Sequence, residues 1–427
     1  MRSLRLTARR TSEADMKYGL IGERLCHSFS KEVHGMLADY DYELCEIPRD
    51  ELDAFMKKAD FTAINVTIPY KEAVIPYLSY ISDEANMIGA VNTIVKRNGK
   101  LYGYNTDFSG MRAQIDKMHL SLLGKKTVIL GTGGTSKTAH AVAKSLGAAP
   151  IITVSRTKRD GIIDYNDLMQ LHTDAEIIIN TTPVGMYPDN EGCPIELKHF
   201  QKLEGVIDAI YNPIRTRLVT DALEMNVKAE GGLYMLVAQA VYASEIFLGV
   251  KHPREKFDKI FKKIKRKKEN IVLIGMPASG KTTVAQLISD SLSRAVSDTD
   301  EMIKAMRDCS IPSIFEAEGE NAFRDYESQA VFEASSKNGT VIATGGGAVL
   351  RRENVRRLKQ NGVIFFIDRP LERLIPTADR PLASDVEAIR KRYAERYDIY
   401  LKSADFVIDA DDTPVNVAKK ITGVFYK

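Results

Sequence analysis

The chain has 427 residues, of which 44% are hydrophobic and 27% charged, a composition typical of a soluble globular protein with two or three domains. The net charge of +3 is too small to favour a nucleic-acid partner, and no apolar run approaches the roughly 18 residues of a membrane helix. The four cysteines are scattered without C-x-x-C spacing, which argues against a zinc site or a disulfide framework and favours a reducing cytoplasm.

The first fifteen residues form an extension with four arginines and no acidic residue before Glu13. This composition is compatible with an organelle transit peptide. A short disordered extension, or a start codon assigned too early with Met16 as the true initiator, explains it as well, and we favour these interpretations.

From Met16, short apolar runs alternate with amphipathic segments, a pattern typical of α/β architecture. A helix is predicted at 32–40, and a hairpin turn at Asn98-Gly99. A further helix begins after Asn105, with Thr106 or Asp107 suited to capping it. Strands are predicted at 18–22, 63–67, 90–96 and 101–104.

A second α/β segment begins at Lys126 with strand 127–130, a glycine-rich turn at 131–134, a helix to Leu146 and strand 151–154. This βαβ order with a glycine-rich first turn is typical of dinucleotide-binding folds. NAD-specific folds place an acidic residue after the second strand, but here the sequence is Ser155-Arg156-Thr157-Lys158-Arg159. These residues suit a 2′-phosphate and favour NADP over NAD. Strands 176–180 and 205–208 and a long helix at 231–248 complete the prediction.

The segment 251–268 carries ten lysines and arginines around a sparse apolar stripe. Such a basic run could bind nucleic acid or an acidic membrane. We favour the alternative that it is the solvated face of a terminal helix that leads into a linker.

The stretch Gly275-Met276-Pro277-Ala278-Ser279-Gly280-Lys281-Thr282-Thr283 follows a β-branched apolar run and precedes a helical pattern. Strand, G-x-x-x-x-G-K-T and helix in this order predict a phosphate-binding P-loop. Backbone N–H groups would converge on phosphate oxygens, Lys281 would reach the β- and γ-phosphates, and the Thr282 hydroxyl would bind Mg²⁺. The chain is therefore predicted to bind a nucleoside triphosphate.

Four short motifs mark the first half of the chain: Ser28-Phe29-Ser30, Asn65-Val66-Thr67-Ile68-Pro69-Tyr70-Lys71, Gly89-Ala90-Val91-Asn92-Thr93 and Asn105-Thr106-Asp107. Through these motifs, residues 16–250 resemble the shikimate dehydrogenase family. The resemblance implies Lys71 and Asp107 as the catalytic pair, because the alkoxide left by hydride transfer needs a proton. It also implies two sets of binding residues. Ser28 and Ser30 would bind the substrate carboxylate. Its hydroxyls would be held by Thr67, Asn92 and Gln239, and Tyr211 would be a further substrate contact. NADP would contact Gly131, Gly133, Gly134, Ser155, Arg156, Thr157, Met186 and Gly232.

The P-loop is followed by further polar and glycine-rich motifs: Asp298-Thr299-Asp300, Phe323-Arg324, Gly345-Gly346-Gly347, Asp379-Arg380-Pro381 and Arg396. Through this set, residues from about 270 to the end resemble the shikimate kinase family. The resemblance implies Asp300 as the residue that binds substrate hydroxyls and takes the proton, and Arg380 as a lid arginine that contacts ATP and the reacting phosphoryl group. Asp298 would hold Mg²⁺ with Thr282, and Arg324 and Arg396 would hold the substrate carboxylate beside Gly346. The ATP-binding set would be Gly275, Ala278, Ser279, Gly280, Lys281, Thr282, Thr283 and Arg380.

These expectations predict a bifunctional α/β enzyme: an α/β substrate-binding domain with a Rossmann-like NADP domain, followed by a P-loop kinase domain with a parallel sheet. The predicted boundaries are an extension at 1–15, a substrate domain at 16–107 completed by helix 231–250, an NADP domain at 108–250, a basic helix or linker at 251–269 and a kinase domain at 270–427.

We expect NADPH-dependent reduction of 3-dehydroshikimate to shikimate, then phosphorylation by MgATP to shikimate 3-phosphate. The expected protein is a cytoplasmic monomer or homodimer with small-molecule substrates and neither a nucleic-acid nor a membrane partner. One alternative is a quinate/shikimate dehydrogenase fused to another small-molecule P-loop kinase. Another is a fusion in which one domain is catalytically silent and only senses ligand.

Overall fold

The computed structural model describes residues 17–25, 29–374 and 386–427. Three features predicted from the sequence lie outside this range, namely the extension 1–15, Ser28 and the lid arginine Arg380. The chain divides into two compact units. Unit 1 comprises 1–183, 194–211 and 221–264, and unit 2 comprises 184–193, 212–220 and 265–427.

The first sheet of unit 1 has six strands in the order β2-β1-β3-β5-β6-β4, and β5 runs antiparallel to both of its neighbours. The predicted hairpin is confirmed, since Asn98 and Gly99 have φ values of 50° and 73°, which an Asn-Gly turn accommodates. The bounds of the strands are β1 Tyr18–Gly22, β2 Tyr42–Glu46, β3 Ala63–Val66, β4 Tyr80–Ile81, β5 Thr93–Arg97 and β6 Lys100–Tyr104. The helices are α1 Ser30–Leu37, α2 Leu52–Lys58, α3 Asp83–Ile88 and α4 Thr106–Lys117.

Helix α4 is capped by Asn105, not by Thr106 or Asp107 as the sequence led us to expect. The Asn105 side chain accepts a hydrogen bond from Phe108 N over 3.3 Å, and its backbone has the extended conformation of an N-cap residue. Thr106 and Asp107 are thereby placed in the first helical turn. The Asp107 side chain remains available for other contacts.

The second sheet of unit 1 is entirely parallel, with the order β12-β11-β10-β7-β8-β9. Its central strands are continuous apolar runs because helices cover both faces of such a sheet. The strands are β7 Thr127–Leu130, β8 Ile151–Val154, β9 Ile162–Ile163, β10 Ile177–Asn180, β11 Gly205–Asp208 and β12 Lys228–Glu230. The helices are α5 Gly134–Ser145, α6 Tyr165–Leu171 and α7 Arg217–Glu224, the last of which extends across the division between the units.

Helix α8, Leu233–Leu248, returns the chain to the first sheet. Its residues Ala243 and Phe247 join a buried cluster with Leu20 and Tyr42 from strands β1 and β2. It also packs closely on α4, where a Cβ at Gly110 would lie only 2.8 Å from the Met235 carbonyl oxygen. A glycine at 110 therefore permits the close approach that brings α8 beside the start of α4.

The basic segment forms helix α9, Arg254–Lys268. Its apolar stripe is buried within unit 1, where Phe257 and Phe261 pack edge-on against Tyr234 at centroid distances of 4.8 and 4.9 Å. Glu269 alone separates the helix from the next strand. The segment is thus a packed helix whose lysines and arginines occupy its remaining faces.

Unit 2 contains a five-stranded parallel sheet with the order β14-β15-β13-β16-β17. Its strands are β13 Asn270–Ile274, β14 Val296–Asp298, β15 Val341–Ala343, β16 Gly362–Asp368 and β17 Phe406–Asp409. Its helices are α10 Lys281–Leu292, α11 Thr299–Arg307, α12 Ile311–Ser335, α13 Arg352–Asn361, α14 Val386–Ser403 and α15 Pro414–Tyr426. Helix α12 is interrupted at Gly319, which has a φ of 81°.

Unit 2 also includes two short segments from the middle of the chain, 184–193 and 212–220. Arg357 of α13 forms a bidentate pair with Glu191 over 2.9 and 3.1 Å. Arg215 donates to the carbonyl oxygens of Lys359 and Gly362, each over 2.8 Å. These segments are therefore an integral part of the second compact unit. No helix in the described part of the chain is long and apolar enough to cross a membrane.

Candidate functional site

Unit 1 contains a cavity of about 800 Å³ between the two sheets' carboxyl-end loops and helix α8. Eight of the side chains or glycines predicted for the first site lie in its wall: Ser30, Thr67, Lys71, Asn92, Asp107, Tyr211, Gly232 and Gln239. Gly134 of the predicted cofactor turn lies in the same wall. The cavity thus joins residues that the sequence assigned separately to a substrate and to a dinucleotide.

Lys71 and Asp107 meet inside this cavity. Lys71 lies in the turn after β3, and Asp107 lies in the first turn of α4. The Lys71 Nζ atom is 2.6 Å from Asp107 Oδ2, and the two side chains are 31% and 19% exposed. An ammonium held by a carboxylate in a partly buried cavity can donate a proton to a nearby oxygen and be held in position while it does so.

Neutral polar side chains form a connected network behind this pair. Asn92 Oδ1 accepts from Thr106 N over 2.7 Å and from Thr93 Oγ1 over 3.0 Å. Asn65 donates to Thr93 Oγ1 over 3.0 Å and accepts from Tyr42 OH over 2.7 Å. Asn65 and Asn105 both line the cavity. The sequence analysis quoted both within motifs but gave neither a role, although their position in those motifs was an available signal.

The glycine turn after β7 has the geometry that a dinucleotide phosphate requires. Gly131 has a φ of 108°, and a Cβ there would lie 2.7 Å from Thr181 Oγ1. Gly133 is the N-cap of α5, and Cβ atoms at Gly133 and Gly134 would meet nothing within 4 Å, so the helix start has an open approach. Position 232 also requires glycine, because a Cβ there would lie 2.1 Å from the Ala209 carbonyl oxygen. The turn therefore fits a bound dinucleotide.

The basic turn after β8 is preorganised by its own hydrogen bonds. Thr157 N donates to Ser155 Oγ over 3.2 Å, and Ser155 Oγ donates to Thr157 O over 2.5 Å. Lys158 pairs with Asp167 over 2.6 Å, whereas Arg156 is exposed. Met186, the remaining residue predicted to contact NADP, lies in the segment 184–193 of unit 2 and is 44% exposed.

The P-loop of unit 2 connects β13 to α10. Gly275 and Gly280 have φ values of 148° and 90°, conformations that L side chains rarely adopt. The buried Lys281 donates to the carbonyl oxygens of Gly275 and Met276 over 2.9 and 2.8 Å. The lysine and the first amides of α10 are therefore gathered around one loop. This loop fits a nucleotide's phosphates.

Thr282 and Asp298, the predicted Mg²⁺ ligands, are in contact, since Thr282 Oγ1 donates to Asp298 Oδ2 over 2.7 Å. The second oxygen of Asp298 accepts from Asp300 N over 2.9 Å and caps α11. A hydroxyl beside a carboxylate is a suitable donor set for Mg²⁺, which prefers hard oxygen ligands.

Arg324 is fixed by two glutamates of its own helix. Its Nη1 donates to Glu327 Oε2 over 2.7 Å and its Nη2 to Glu320 Oε1 over 2.9 Å. Burial raises the pKa of the Glu327 carboxyl, although the Arg324 guanidinium acts in the opposite direction. Glu327 Oε1 is buried without a hydrogen-bond partner among the described residues. The sequence analysis missed Glu327, although its position three residues after Arg324 on a helix was a signal.

The glycine-rich turn after β15 joins the remaining predicted residues of unit 2. Cβ atoms would lie 2.6 Å from Asp300 Oδ1 at Gly345, 2.8 Å from Pro277 Cδ at Gly346 and 1.9 Å from Arg324 Nη1 at Gly347. The buried Arg396 donates to the Gly346 carbonyl oxygen over 3.3 Å. The turn thus lies against the P-loop, the acid and both predicted arginines, and it leaves no room for side chains.

Two family models match the chain. The shikimate dehydrogenase substrate binding domain matches residues 20–94, and shikimate kinase matches residues 277–425. The first runs from within β1 to within β5 and includes Lys71, and the second begins within the P-loop and ends within α15.

Individual proteins resemble the N-terminal region. A shikimate dehydrogenase (NADP(+)) of Clostridium perfringens is 35% identical over 58% of this chain and 98% of its own length. One of Clostridium beijerinckii is 38% identical over 54% of this chain and 91% of its own length. Among solved structures, a chorismate mutase/shikimate 5-dehydrogenase fusion protein from Clostridium acetobutylicum is 35% identical, with a TM-score of 0.55 over 59% of this chain and 97% of that one.

Proposed function

Because the chain belongs to the shikimate dehydrogenase family and also carries a shikimate kinase domain, we propose that it catalyses two consecutive reactions. The first reduces 3-dehydroshikimate to shikimate with NADPH. The second transfers the γ-phosphoryl group of MgATP to shikimate and yields shikimate 3-phosphate. The product of one proposed reaction is the substrate of the other, which supports assigning both to one chain.

The observation that carries the first assignment is the contact of 2.6 Å between Lys71 Nζ and Asp107 Oδ2 in a cavity also lined by Gly134 and Gly232. NADPH, when bound, supplies the hydride that adds to the ketone carbon. Lys71 donates a proton to the resulting alkoxide, and Asp107 holds the ammonium in place. Thr67, Asn92 and Gln239 bind the hydroxyls of the ring, Ser28 and Ser30 bind its carboxylate, and Tyr211 is a further contact.

The cofactor would be held by the glycine turn after β7, by Gly232 and by the basic turn after β8. Gly131, Gly133 and Gly134 offer backbone N–H groups to the pyrophosphate, and Gly232 lets the backbone approach the nicotinamide end. Ser155, Arg156 and Thr157 bind the 2′-phosphate, which an arginine grips bidentately. Met186 is proposed as a further cofactor contact.

In the second reaction, the chain's contribution is to position the reactants and stabilise charge. Lys281 and the P-loop amides, from Gly275 through Ala278, Ser279 and Gly280 to Thr283, hold the phosphates, while Thr282 and Asp298 hold Mg²⁺. Arg324 and Arg396 hold the shikimate carboxylate beside Gly346. Asp300 accepts the proton of the attacking hydroxyl, and Arg380 approaches the transferring phosphoryl group.

A two-stage assay on the purified full chain tests the proposal. NADPH and 3-dehydroshikimate are added first and the absorbance of NADPH is followed, after which MgATP is added and shikimate 3-phosphate is measured. Both signals are expected. Reduction without phosphorylation would show that the kinase acceptor is another small acid. Phosphorylation of added shikimate without reduction would indicate a silent, ligand-sensing first site.

Matched lysine variants sharpen this assay. Lys71→Met should lower the rate of reduction by about 10²- to 10⁴-fold, because the proton donor is lost, while the kinase rate stays unchanged. Lys137→Met is the control, since Lys137 forms a more exposed pair with Glu72 over 2.8 Å at the same cleft. Equal losses in both variants would contradict the role of Lys71. The oligomeric state can be measured on the same preparation, and we propose a monomer or a homodimer. We also propose that the protein is cytoplasmic.

A further inference from the structure

Arg369 is a cation beside the P-loop to which the sequence analysis gave no role. It directly follows strand β16, and its Nη1 atom lies 3.7 Å from the position that a Cβ on Gly280 would occupy. Gly280 is the N-cap of α10 and immediately precedes Lys281. The guanidinium therefore lies next to the loop that fits a nucleotide's phosphates.

The backbone holds this arginine close to the start of the P-loop. Strand β16 pairs in parallel with β13, the strand that leads into the loop. A Cβ on Gly275 would lie 2.8 Å from the Ile367 carbonyl oxygen, so the end of β16 touches the first residue of the loop. Pro370 follows Arg369 with a φ of -51°, and a proline disfavours the helical conformation for the residue before it. The position from which the Arg369 side chain extends is thus fixed.

The Arg369 guanidinium has no counter-ion among the described residues. It forms neither an ion pair nor a side-chain hydrogen bond with them, and its Nε atom is buried without a partner. Two acidic side chains at the carboxyl ends of β16 and β17 have partners of their own. Asp368 accepts from Tyr397 OH over 2.9 Å, and Asp411 pairs with Arg373 over 2.7 Å. An unpaired buried donor is costly, and a bound anion would satisfy it.

Phosphate is the anion that the surroundings of Arg369 favour. The P-loop amides and Lys281 bind phosphates in the proposed kinase reaction, and Arg369 lies beside the same loop. An arginine can donate two parallel hydrogen bonds to a phosphate, and burial reduces the screening of their attraction. A guanidinium can also stack on a base. Because Gly280 belongs to the loop that holds phosphates, contact with the phosphate chain is the closer fit.

We propose that Arg369 is a second phosphate-binding cation of the unit 2 nucleotide site, which donates hydrogen bonds to the phosphate chain from the end of β16, while Lys281 binds it from within the loop. This inference rests on the proposed kinase function and adds a nucleotide-binding residue to it. Arg369 acts in binding and takes no part in proton transfer.

Calorimetry on the full chain, with Mg²⁺ present, tests the inference with two probes. ADP carries phosphates and a base, whereas inorganic tripolyphosphate carries phosphates alone. Arg369→Met should weaken the binding of each probe by about 10- to 100-fold, the loss expected for a charge-assisted hydrogen bond, and leave the KM for shikimate unchanged. Arg369→Gln removes the same charge with a different side chain and should give the same loss. Arg369→Lys keeps the charge and should lose less affinity than either.

Arg307→Met is the matched control, since Arg307 pairs with Glu318 over 2.8 Å and is 38% exposed, and it should bind both probes as the wild type does. Unchanged affinity for ADP in Arg369→Met and Arg369→Gln would overturn the inference. A loss for ADP without a loss for tripolyphosphate would also overturn it, because the guanidinium would then contact the base or the ribose. Binding needs no turnover, so a wild type that binds ADP without phosphorylating shikimate would refute only the proposed acceptor.

Discussion

Thr282 Oγ1 donates a hydrogen bond to Asp298 Oδ2 over 2.7 Å, so that the first turn of α10 is joined to the end of β14. These two elements are separated by the rest of α10 along the chain, and the parallel sheet brings their ends to one edge. The pair presents a hydroxyl and a carboxylate at the P-loop, as a Mg²⁺ site needs.

Asp298→Asn should weaken the binding of Mg²⁺ in the kinase reaction. Asparagine still caps α11, but it removes the negative charge that would bind the ion. The Mg²⁺ concentration for half-maximal kinase activity should rise by about tenfold or more, with the rate of NADPH oxidation unchanged. Glu301→Gln serves as the control, because Glu301 pairs with Lys304 and its side chain is 66% exposed. An unaltered Mg²⁺ titration in Asp298→Asn would show that Asp298 does not bind the ion.

Gly347→Ala should impair binding of shikimate to the kinase site without affecting nucleotide binding. The added methyl group would lie 1.9 Å from Arg324 Nη1, and the guanidinium cannot easily move because Glu320 and Glu327 hold it. We expect the KM for shikimate to rise by about 10- to 100-fold while calorimetry shows unchanged ADP affinity. Gly423→Ala, where a Cβ meets nothing within 4 Å, should leave both unchanged. Wild-type kinetics in Gly347→Ala would show that Arg324 does not bind the substrate.

Arg156→Ala should lower the preference of the first reaction for NADPH over NADH. Arg156 is exposed beside the Ser155–Thr157 turn, and its loss would remove the bidentate contact that we propose it makes with the 2′-phosphate. The KM for NADPH should rise by about tenfold or more, and that for NADH should stay the same. Lys158→Ala is the comparison, since Lys158 already pairs with Asp167. If the affinities for NADPH and NADH fall equally, Arg156 does not bind the 2′-phosphate.

His34 should make the stability of unit 1 depend on pH. It is fully buried, stacks on Tyr42 at a centroid distance of 4.0 Å, and contacts Tyr40 OH through Nδ1 over 2.6 Å. Burial lowers the pKa of His34 from 6.5 to about 3, so below pH 6.5 the unfolded chain takes up a proton that the folded chain excludes.

The free energy of unfolding should therefore fall by up to about 1.4 kcal/mol per pH unit from this residue as the pH drops from 6.5 towards 3. Urea unfolding at pH 7, 6 and 5 measures the slope. His34→Phe keeps the aromatic stack and should reduce the slope of the unfolding free energy against pH by that amount. Equal slopes in both proteins would mean that His34 accepts a proton in the folded state.

The sequence predicted regular elements well where one local signal was decisive. Strands 127–130, 151–154 and 205–208 match the structure because continuous apolar runs between glycine-rich or polar turns have few other interpretations. The predicted cap of α4 was wrong because Asn105, Thr106 and Asp107 are all good cap residues. Their order alone does not show which of them is the last residue before the helix.

Residues whose contacts depend on tertiary structure were harder to predict. Asn65 contacts Tyr42 and Thr93, which lie on two other strands of the same sheet, so its role depends on a strand order and register that no local pattern encodes. Met186 was assigned to the cofactor site through the family resemblance. Its segment, 184–193, belongs to unit 2 through pairs such as Glu191 with Arg357, which the sequence does not reveal. The roles of the individual site residues stay predictions until the variants above are measured.

Helix α8 closes the core of the first sheet through Ala243 and Phe247, which pack against Leu20 and Tyr42. During synthesis, the ribosome makes Lys71 and Asp107 long before this helix. A nascent chain that ends before α8 therefore contains Lys71 and Asp107 but leaves the apolar face of its first core, with Leu20 and Tyr42, uncovered. Premature termination between α4 and α8 would thus give a product that contains Lys71 and Asp107 but lacks the helix that completes the wall of their cavity.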